Sequence, residues 1–146
     1  MNRTIAPKKQ KAVCLTVFAL YILVVLYLTI FRFNFYYDER QLNLVPLADL
    51  IHLPHRVGTR EFLRLFLGNI GWFVPFGFLW PMLLKKKSFL ITLASGFLFS
   101  FFIETMQFVF YKGVAELDDL ILNTLGTAIG YVLYRQLRKI FSKTRP

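Results

Sequence analysis

The first long apolar stretch of the chain is AVCLTVFALYILVVLYLTIF, residues 12–31. It contains no charged residue, and as a helix it would be about 30 Å long, which matches the hydrocarbon core of a bilayer. Cationic residues precede it, as they do in a signal peptide. It is longer than a signal core, however, and no small-residue cleavage site follows it. We therefore predict a membrane anchor.

Three further apolar stretches follow, at about 62–84, 88–111 and 117–134. The last one begins with polar residues and is the least certain span when taken alone. Hydrophobic residues make up 56% of the chain, which is more than a soluble domain of this size usually contains. We predict a single all-α membrane domain over 12–134, with short basic tails at 1–11 and 135–146.

The distribution of charge predicts the orientation of these spans. The net charge is +10, but twelve of the 18 cationic residues lie in the two tails and in the turn at 85–87, which together contain none of the eight acids. This arrangement argues against a nucleic-acid partner. The positive-inside rule places both tails and this turn in the cytoplasm, which requires an even number of spans. We predict a four-helix bundle with both termini in the cytoplasm.

The first external loop, 32–61, is rich in aromatic residues, as is typical of the headgroup interface. Its segment 42–53 is apolar but too short to span, and Pro46 and Pro54 interrupt it. We expect this segment to lie on or dip into the outer leaflet.

Polar residues recur at helical spacing in the last two spans. Gly96, Ser100, Glu104 and Gln107 form one stripe, and Asp119, Asn123, Gly126 and Gly130 form another. The small residues are expected to let helices approach closely. With Asn69 and Arg64 of the second span, the polar groups reach a similar depth below the outer surface. We expect a polar cavity lined by Asn69, Ser100, Glu104, Gln107, Asp119 and Asn123.

Each of these residues also has a structural interpretation. An ionisable residue within a span is a candidate for function, but Glu104 could instead be protonated, or paired with Arg64, and hold helices together. Asp118 and Asp119 could cap the fourth helix. Gln107 and Asn123 could be hydrogen-bond links between helices.

A metal site is not predicted. Asp49, His52 and His55 have the spacing of possible zinc ligands, but Pro54 interrupts the helix that would align them and no fourth ligand is evident. Cys14 is the single cysteine, which excludes a disulfide within the chain. No cofactor motif is present, so no cofactor is expected.

Four landmarks in the sequence resemble the VanZ-like family of membrane proteins. They are Asn-Leu-Val-Pro at 43–46, Asn69 followed by Pro-Phe-Gly at 75–77, the residues Ser100, Glu104 and Gln107, and the run ELDDLILNTLG at 116–126. Members of the family often carry an arginine shortly before the acidic run, and here Lys112 and Gly113 stand instead. The sequence departs from the family's pattern here, and since a lysine does not replace the bidentate fork of an arginine, we do not expect anion recognition at this position.

The resemblance implies a protein of the bacterial cell membrane with a role at the envelope and in resistance to the glycopeptide teicoplanin. The landmarks that carry the resemblance also place Asn43 and the acidic residues of the run at 116–126 in the candidate site. The complete set of candidate ligand-binding residues is Asn43, Arg64, Asn69, Ser100, Glu104, Gln107, Asp118, Asp119 and Asn123.

Three functions are compatible with these residues. The first is binding of an extracytoplasmic amphiphile, either a lipid-linked cell-wall precursor or a lipoglycopeptide, with membrane lipids as the other partners. The second is an intramembrane enzyme that acts on a lipid phosphate with Glu104 and Asp118 or Asp119, although no nucleophile or full ligand set is evident. A proton-coupled transporter is the third, and it would rest on Glu104 alone. Binding is the function we expect.

Overall fold

The structure is a computed structural model that describes residues 7–31, 37–47 and 58–143. Four long helices dominate it, in agreement with the predicted all-α class. The elements in chain order are α1 (Pro7–Leu26), which continues into a wider π turn (Tyr27–Phe31), β1 (Gln41–Asn43), α2 (Thr59–Leu83), α3 (Phe89–Val109), β2 (Val114–Glu116) and α4 (Leu117–Lys143).

Three of these helices are long and apolar enough to cross a membrane within the described part of the chain. They are Lys9–Ile30, which combines α1 with most of the π turn, Thr59–Leu83 and Phe89–Val109. Helix α4 has 27 residues but is less apolar, because acids occupy its first turn and basic residues its last third. The fourth helix is therefore present, whereas its passage through the membrane stays a prediction.

Glycines bring α4 into backbone contact with α2. A Cβ atom added at Gly126 would meet the carbonyl oxygen of Ile70, and one added at Gly130 would meet that of Val74. Helix α3 approaches α4 in the same way, because a Cβ at Gly96 would meet the side chain of Thr127. The expectation that small residues allow close helix packing is confirmed.

Helix α1 packs through aromatic and aliphatic side chains. Phe18 and Val25 of α1 form a buried cluster with Phe73 and Phe76 of α2 and Ile103 of α3. The Tyr21 hydroxyl donates a hydrogen bond of 2.6 Å to the carbonyl oxygen of Trp72. This contact joins α1 to α2 near the middle of both helices.

The three basic segments lie at one end of the bundle. Cys14, near the basic start of α1, contacts the carbonyl oxygen of Leu79 near the end of α2. At the same end, the Tyr131 hydroxyl of α4 donates a hydrogen bond of 2.8 Å to the carbonyl oxygen of Lys87. This arrangement is a requirement of the predicted orientation, although it does not identify the side of the membrane.

At the opposite end, two short strands join the loops. β1 and β2 pair in parallel, with Gln41 opposite Val114 and Asn43 opposite Glu116. The sequence analysis did not predict this pair, since strands of three residues are too short to show an alternating pattern. The predicted interfacial segment 42–53 therefore begins within a strand. Its part 48–53 lies outside the described residues, as do Asp49, His52, Pro54 and His55.

Candidate functional site

The carboxyl group of Glu104 lies inside the protein, where α3 meets β2. The residue is 6% exposed, and its Oε2 atom accepts a hydrogen bond of 3.0 Å from the backbone N–H of Glu116. This partner differs from the proposed Arg64. The guanidinium of Arg64 is exposed and pairs at 2.5 Å with Glu61 of the same helix. Pairing with Arg64, which was one structural alternative for Glu104, is therefore not found.

Amide side chains link the four helices at this level. Asn69 of α2 donates to Oδ1 of Asp119 on α4. Asn123 of α4 donates at 2.9 Å to the hydroxyl of Ser100 on α3. Gln107 of α3 donates at 3.3 Å to the carbonyl oxygen of Thr29, in the π turn that follows α1. The polar stripes predicted from the sequence thus converge, and their donors are used between helices.

Two cavities of about 460 and 290 Å³ lie beside these links, and Tyr37, Asn69, Gln107 and Asp119 line both of them. Because they share these walls, we treat them as one feature, the polar crevice. The larger cavity is also lined by Val25, Leu28, Thr29, Trp72, Ile103, Glu104, Lys112 and Asn123. The smaller is also lined by Phe62, Leu65, Phe66, Gly113, Val114, Glu116, Asp118 and Leu122.

A third cavity, the apolar groove, lies beside β2. It has a volume of about 170 Å³, and its walls are mostly aliphatic and aromatic. Its lining residues are Leu42, Leu44, Phe101, Glu104, Thr105, Phe108, Ala115, Glu116, Leu117 and Leu120. Glu104 and Glu116 line both this groove and the polar crevice, so the two spaces are neighbours.

Six of the nine candidate residues line the crevice. Its larger cavity is lined by Asn69, Glu104, Gln107, Asp119 and Asn123, and Asp118 lines the smaller one. Oδ1 of Asp118 also accepts a hydrogen bond of 2.6 Å from the backbone N–H of Leu47. Ser100 is fully buried beneath Asn123 and is not a lining residue. Neither Asn43 nor Arg64 is a lining residue of the crevice. Asn43 accepts the N–H of Val45 at 3.3 Å, within its own loop.

The sequence analysis missed the aromatic walls of the crevice. Phe62 and Phe66 stack on each other with 5.7 Å between their ring centroids, and both line the smaller cavity. Their spacing from each other and from Asn69 places all three on one face of α2, so helical periodicity could have identified them. Tyr37, Thr29 and Lys112 could not be found in this way, because they reach the crevice only through the tertiary fold.

The described residues include no group of three or more His, Cys, Asp or Glu side chains that could hold a metal ion. What the crevice presents instead is a set of carboxyl groups, amide groups and aromatic rings around a space of ligand size. This arrangement suits the binding of a polar group by hydrogen bonds and ring contacts.

Comparison with known proteins gives two matches. The family model described as VanZ/LLP1 matches residues 18–141. The chain is 32% identical over 122 residues to "Protein VanZ" from Enterococcus faecium, an alignment that covers 80% of this chain and 70% of that protein. No solved structure matches the chain. Since the family model covers most of the chain, and the relative is similar over most of both lengths, this chain belongs to the VanZ/LLP1 family.

Proposed function

We propose that this protein is a four-span protein of the bacterial plasma membrane that binds an extracytoplasmic amphiphile in the polar crevice. The observation that carries the proposal is the convergence of Asn69, Glu104, Gln107, Asp119 and Asn123 from three helices on one cavity of about 460 Å³. A polar cavity at membrane depth is costly to maintain, so its presence favours a function.

The proposed orientation has both termini in the cytoplasm and the crevice at the outer side. It is supported by the turn 85–87 and the described basic residues of the two tails, which lie at the end of the bundle away from β1 and β2. In this orientation α4 is the fourth span. Its polar first turn is hydrogen-bonded to α2 and to Leu47 in the loop after β1, which explains how a less apolar helix could cross.

The apolar groove is proposed to hold the hydrocarbon chain of the same amphiphile. The groove shares the lining residues Glu104 and Glu116 with the crevice, and it offers apolar walls where the crevice offers polar ones. A ligand with a polar headgroup and a chain would fill both. A lipid-linked cell-wall precursor and a lipoglycopeptide such as teicoplanin both have this construction.

Native mass spectrometry of protein gently extracted from its own membrane tests this proposal. Wild type is expected to retain an amphiphile, and Glu104→Gln is expected to lose it. Glu61→Gln is a matched control, because it makes the same change from carboxyl to amide at a more exposed position on α2 that lines neither cavity. Equal retention by wild type and Glu104→Gln would contradict the proposed role of Glu104.

A role in glycopeptide resistance is tested in cells. Expression of the wild-type protein in a susceptible bacterium is expected to lower susceptibility to teicoplanin, and expression of Glu104→Gln at the same level is not. Equal protection by both would show that resistance does not depend on the crevice.

The enzyme alternative receives no support from the geometry. It requires Asp118 or Asp119 to act with Glu104, yet Asp118 holds the Leu47 backbone and Asp119 holds Asn69. Conversion of a polyprenyl phosphate by the purified protein would nevertheless place that alternative first.

A further inference from the structure

We infer that the polar crevice selects amphiphiles whose headgroup carries a positively charged amine over those whose headgroup is a phosphate. This inference rests on the proposed binding function and specifies the chemical class of its ligand. Three features of the crevice point in this direction independently.

The first feature is the sign of the charged groups. Four carboxyl groups, those of Glu104, Glu116, Asp118 and Asp119, line the crevice, whereas Lys112 is the one cationic lining residue among those that the structure describes. Charges within a few ångströms of each other interact strongly where water is partly excluded. Even without Glu104, the carboxyl groups of Glu116, Asp118 and Asp119 outnumber the single cation of Lys112, so a phosphate would meet net repulsion in this space and an ammonium group attraction.

The second feature is the orientation of two amides. Asn69 donates to a carboxylate oxygen and Gln107 to a backbone carbonyl oxygen, and both of these partners can only accept. The orientation of each amide is therefore determined by its partner. One N–H of each amide is engaged in these hydrogen bonds, so the carbonyl oxygen, which has two lone pairs, is the main group that each amide presents to a ligand. Together with the carboxyl groups, these carbonyl oxygens provide acceptors that suit a ligand with several N–H donors.

The third feature is the aromatic wall. Tyr37, Phe62 and Phe66 line the smaller cavity, and Tyr37 and Trp72 line the larger one. The faces of aromatic rings attract cations, and the attraction increases where water is excluded. A phosphate gains nothing from the same faces. Rings beside carboxyl groups are therefore matched to an ammonium group in particular.

The test uses three probes with the same chain, namely dodecylamine, N-dodecylacetamide and dodecyl phosphate, added to the purified full chain in a neutral detergent. Binding is followed by intrinsic tryptophan fluorescence, since Trp72 lines the crevice. We expect the amine to bind roughly tenfold or more tightly than the phosphate, as one additional charge-assisted hydrogen bond would produce. The affinity for N-dodecylacetamide is expected to lie between the affinities for the amine and the phosphate.

Two variants locate the preference in the crevice. In Asp119→Asn, the ratio of the affinity for dodecylamine to the affinity for N-dodecylacetamide is expected to fall roughly tenfold. In the control Glu61→Gln, this ratio is expected to stay unchanged. Because Asp119 also accepts a hydrogen bond from Asn69, Phe66→Leu provides a second test that retains the carboxyl groups. This substitution removes one ring of the stacked pair. It is expected to weaken the binding of dodecylamine severalfold and to leave the binding of N-dodecylacetamide nearly unchanged.

The possible outcomes separate this inference from the proposed function. Binding of dodecyl phosphate as tightly as dodecylamine, with or without added Mg²⁺, would overturn the preference for an amine but leave amphiphile binding intact. Failure of all three probes to bind would overturn the proposed function and this inference together. An amine preference that persists unchanged in Asp119→Asn and Phe66→Leu would overturn its assignment to the crevice.

Discussion

At the scale of single residues, Glu104 combines a structural contact with a proposed role in binding. Replacing it by alanine would remove the acceptor for the Glu116 N–H, and a buried donor without a partner costs about 1–3 kcal/mol. Glutamine retains a carbonyl oxygen that can accept the same bond. We expect Glu104→Ala to lower the midpoint of thermal unfolding in detergent and Glu104→Gln to leave it nearly unchanged.

The comparison of these two variants separates the functions of the side chain. We expect Glu104→Gln to keep the fold and to lose the amphiphile. This result would assign the hydrogen bond with the Glu116 N–H to stability and the carboxyl group of Glu104 to ligand binding. A large loss of stability in Glu104→Gln would contradict this division and show that the structure itself requires the carboxyl group.

Position along a helix does not by itself decide which residues line the crevice. Asn69 and Arg64 lie on the same helix at similar depths, but five residues separate them. At about 100° per residue they point roughly 140° apart around the helix axis. Arg64 therefore lies outside the crevice and pairs with Glu61, whereas Asn69 lines it.

At the scale of elements, the glycines of α4 determine how closely the helices approach. A methyl group at Gly126 would overlap the carbonyl oxygen of Ile70, so one of the two helices must move. We expect Gly126→Ala to destabilise the protein by about 1–3 kcal/mol, as other overpacked sites do. Thermal unfolding in detergent measures the change.

The matched control is Gly71→Ala on α2, since no atom lies within 4 Å of the position that its Cβ would occupy. This substitution is expected to be neutral, or to stabilise the helix by up to about 1 kcal/mol. Similar losses from Gly71→Ala and Gly126→Ala would show that glycine matters for the flexibility of these helices rather than for their close packing.

The link between the loop after β1 and the start of α4 depends on Asp118, which accepts the backbone N–H of Leu47. Leu47 has a φ of 61°, which is an unfavourable conformation for leucine, so the hydrogen bond helps to hold this turn. We expect Asp118→Ala to accelerate hydrogen exchange at the amides of residues 41–47. Asp118→Asn retains an acceptor and should show a smaller change. Unchanged exchange in Asp118→Ala would mean that the strand pair alone holds the loop.

At the scale of the whole molecule, the orientation in the membrane can be tested by labelling. In a Cys14→Ser background, single cysteines replace Glu39, Lys86 or Arg138, which are all exposed. With both termini in the cytoplasm, a membrane-impermeant maleimide added to intact cells should label Glu39→Cys only. Lys86→Cys and Arg138→Cys should require permeabilised cells.

The position of Arg138 decides whether α4 spans. If Arg138→Cys were labelled from outside while Lys86→Cys were not, α4 would not cross and the protein would have three spans. Glu39→Cys shows that the reagent reaches the outer face, and Lys86→Cys reports any leakage through the membrane.

The sequence by itself determined the membrane class, the four helices and most of the polar residues that meet. This was possible because long uncharged stretches and polar residues within them are distinctive in any bilayer protein. Only the tertiary structure decided which partners these residues have: Glu116 rather than Arg64 for Glu104, and Leu47 for Asp118. It also decided the pairing of β1 with β2 and the arrival of Tyr37 and Thr29 at the crevice. These contacts join residues far apart in the chain, and helical periodicity carries no information about which loops meet or which faces of different helices turn toward each other.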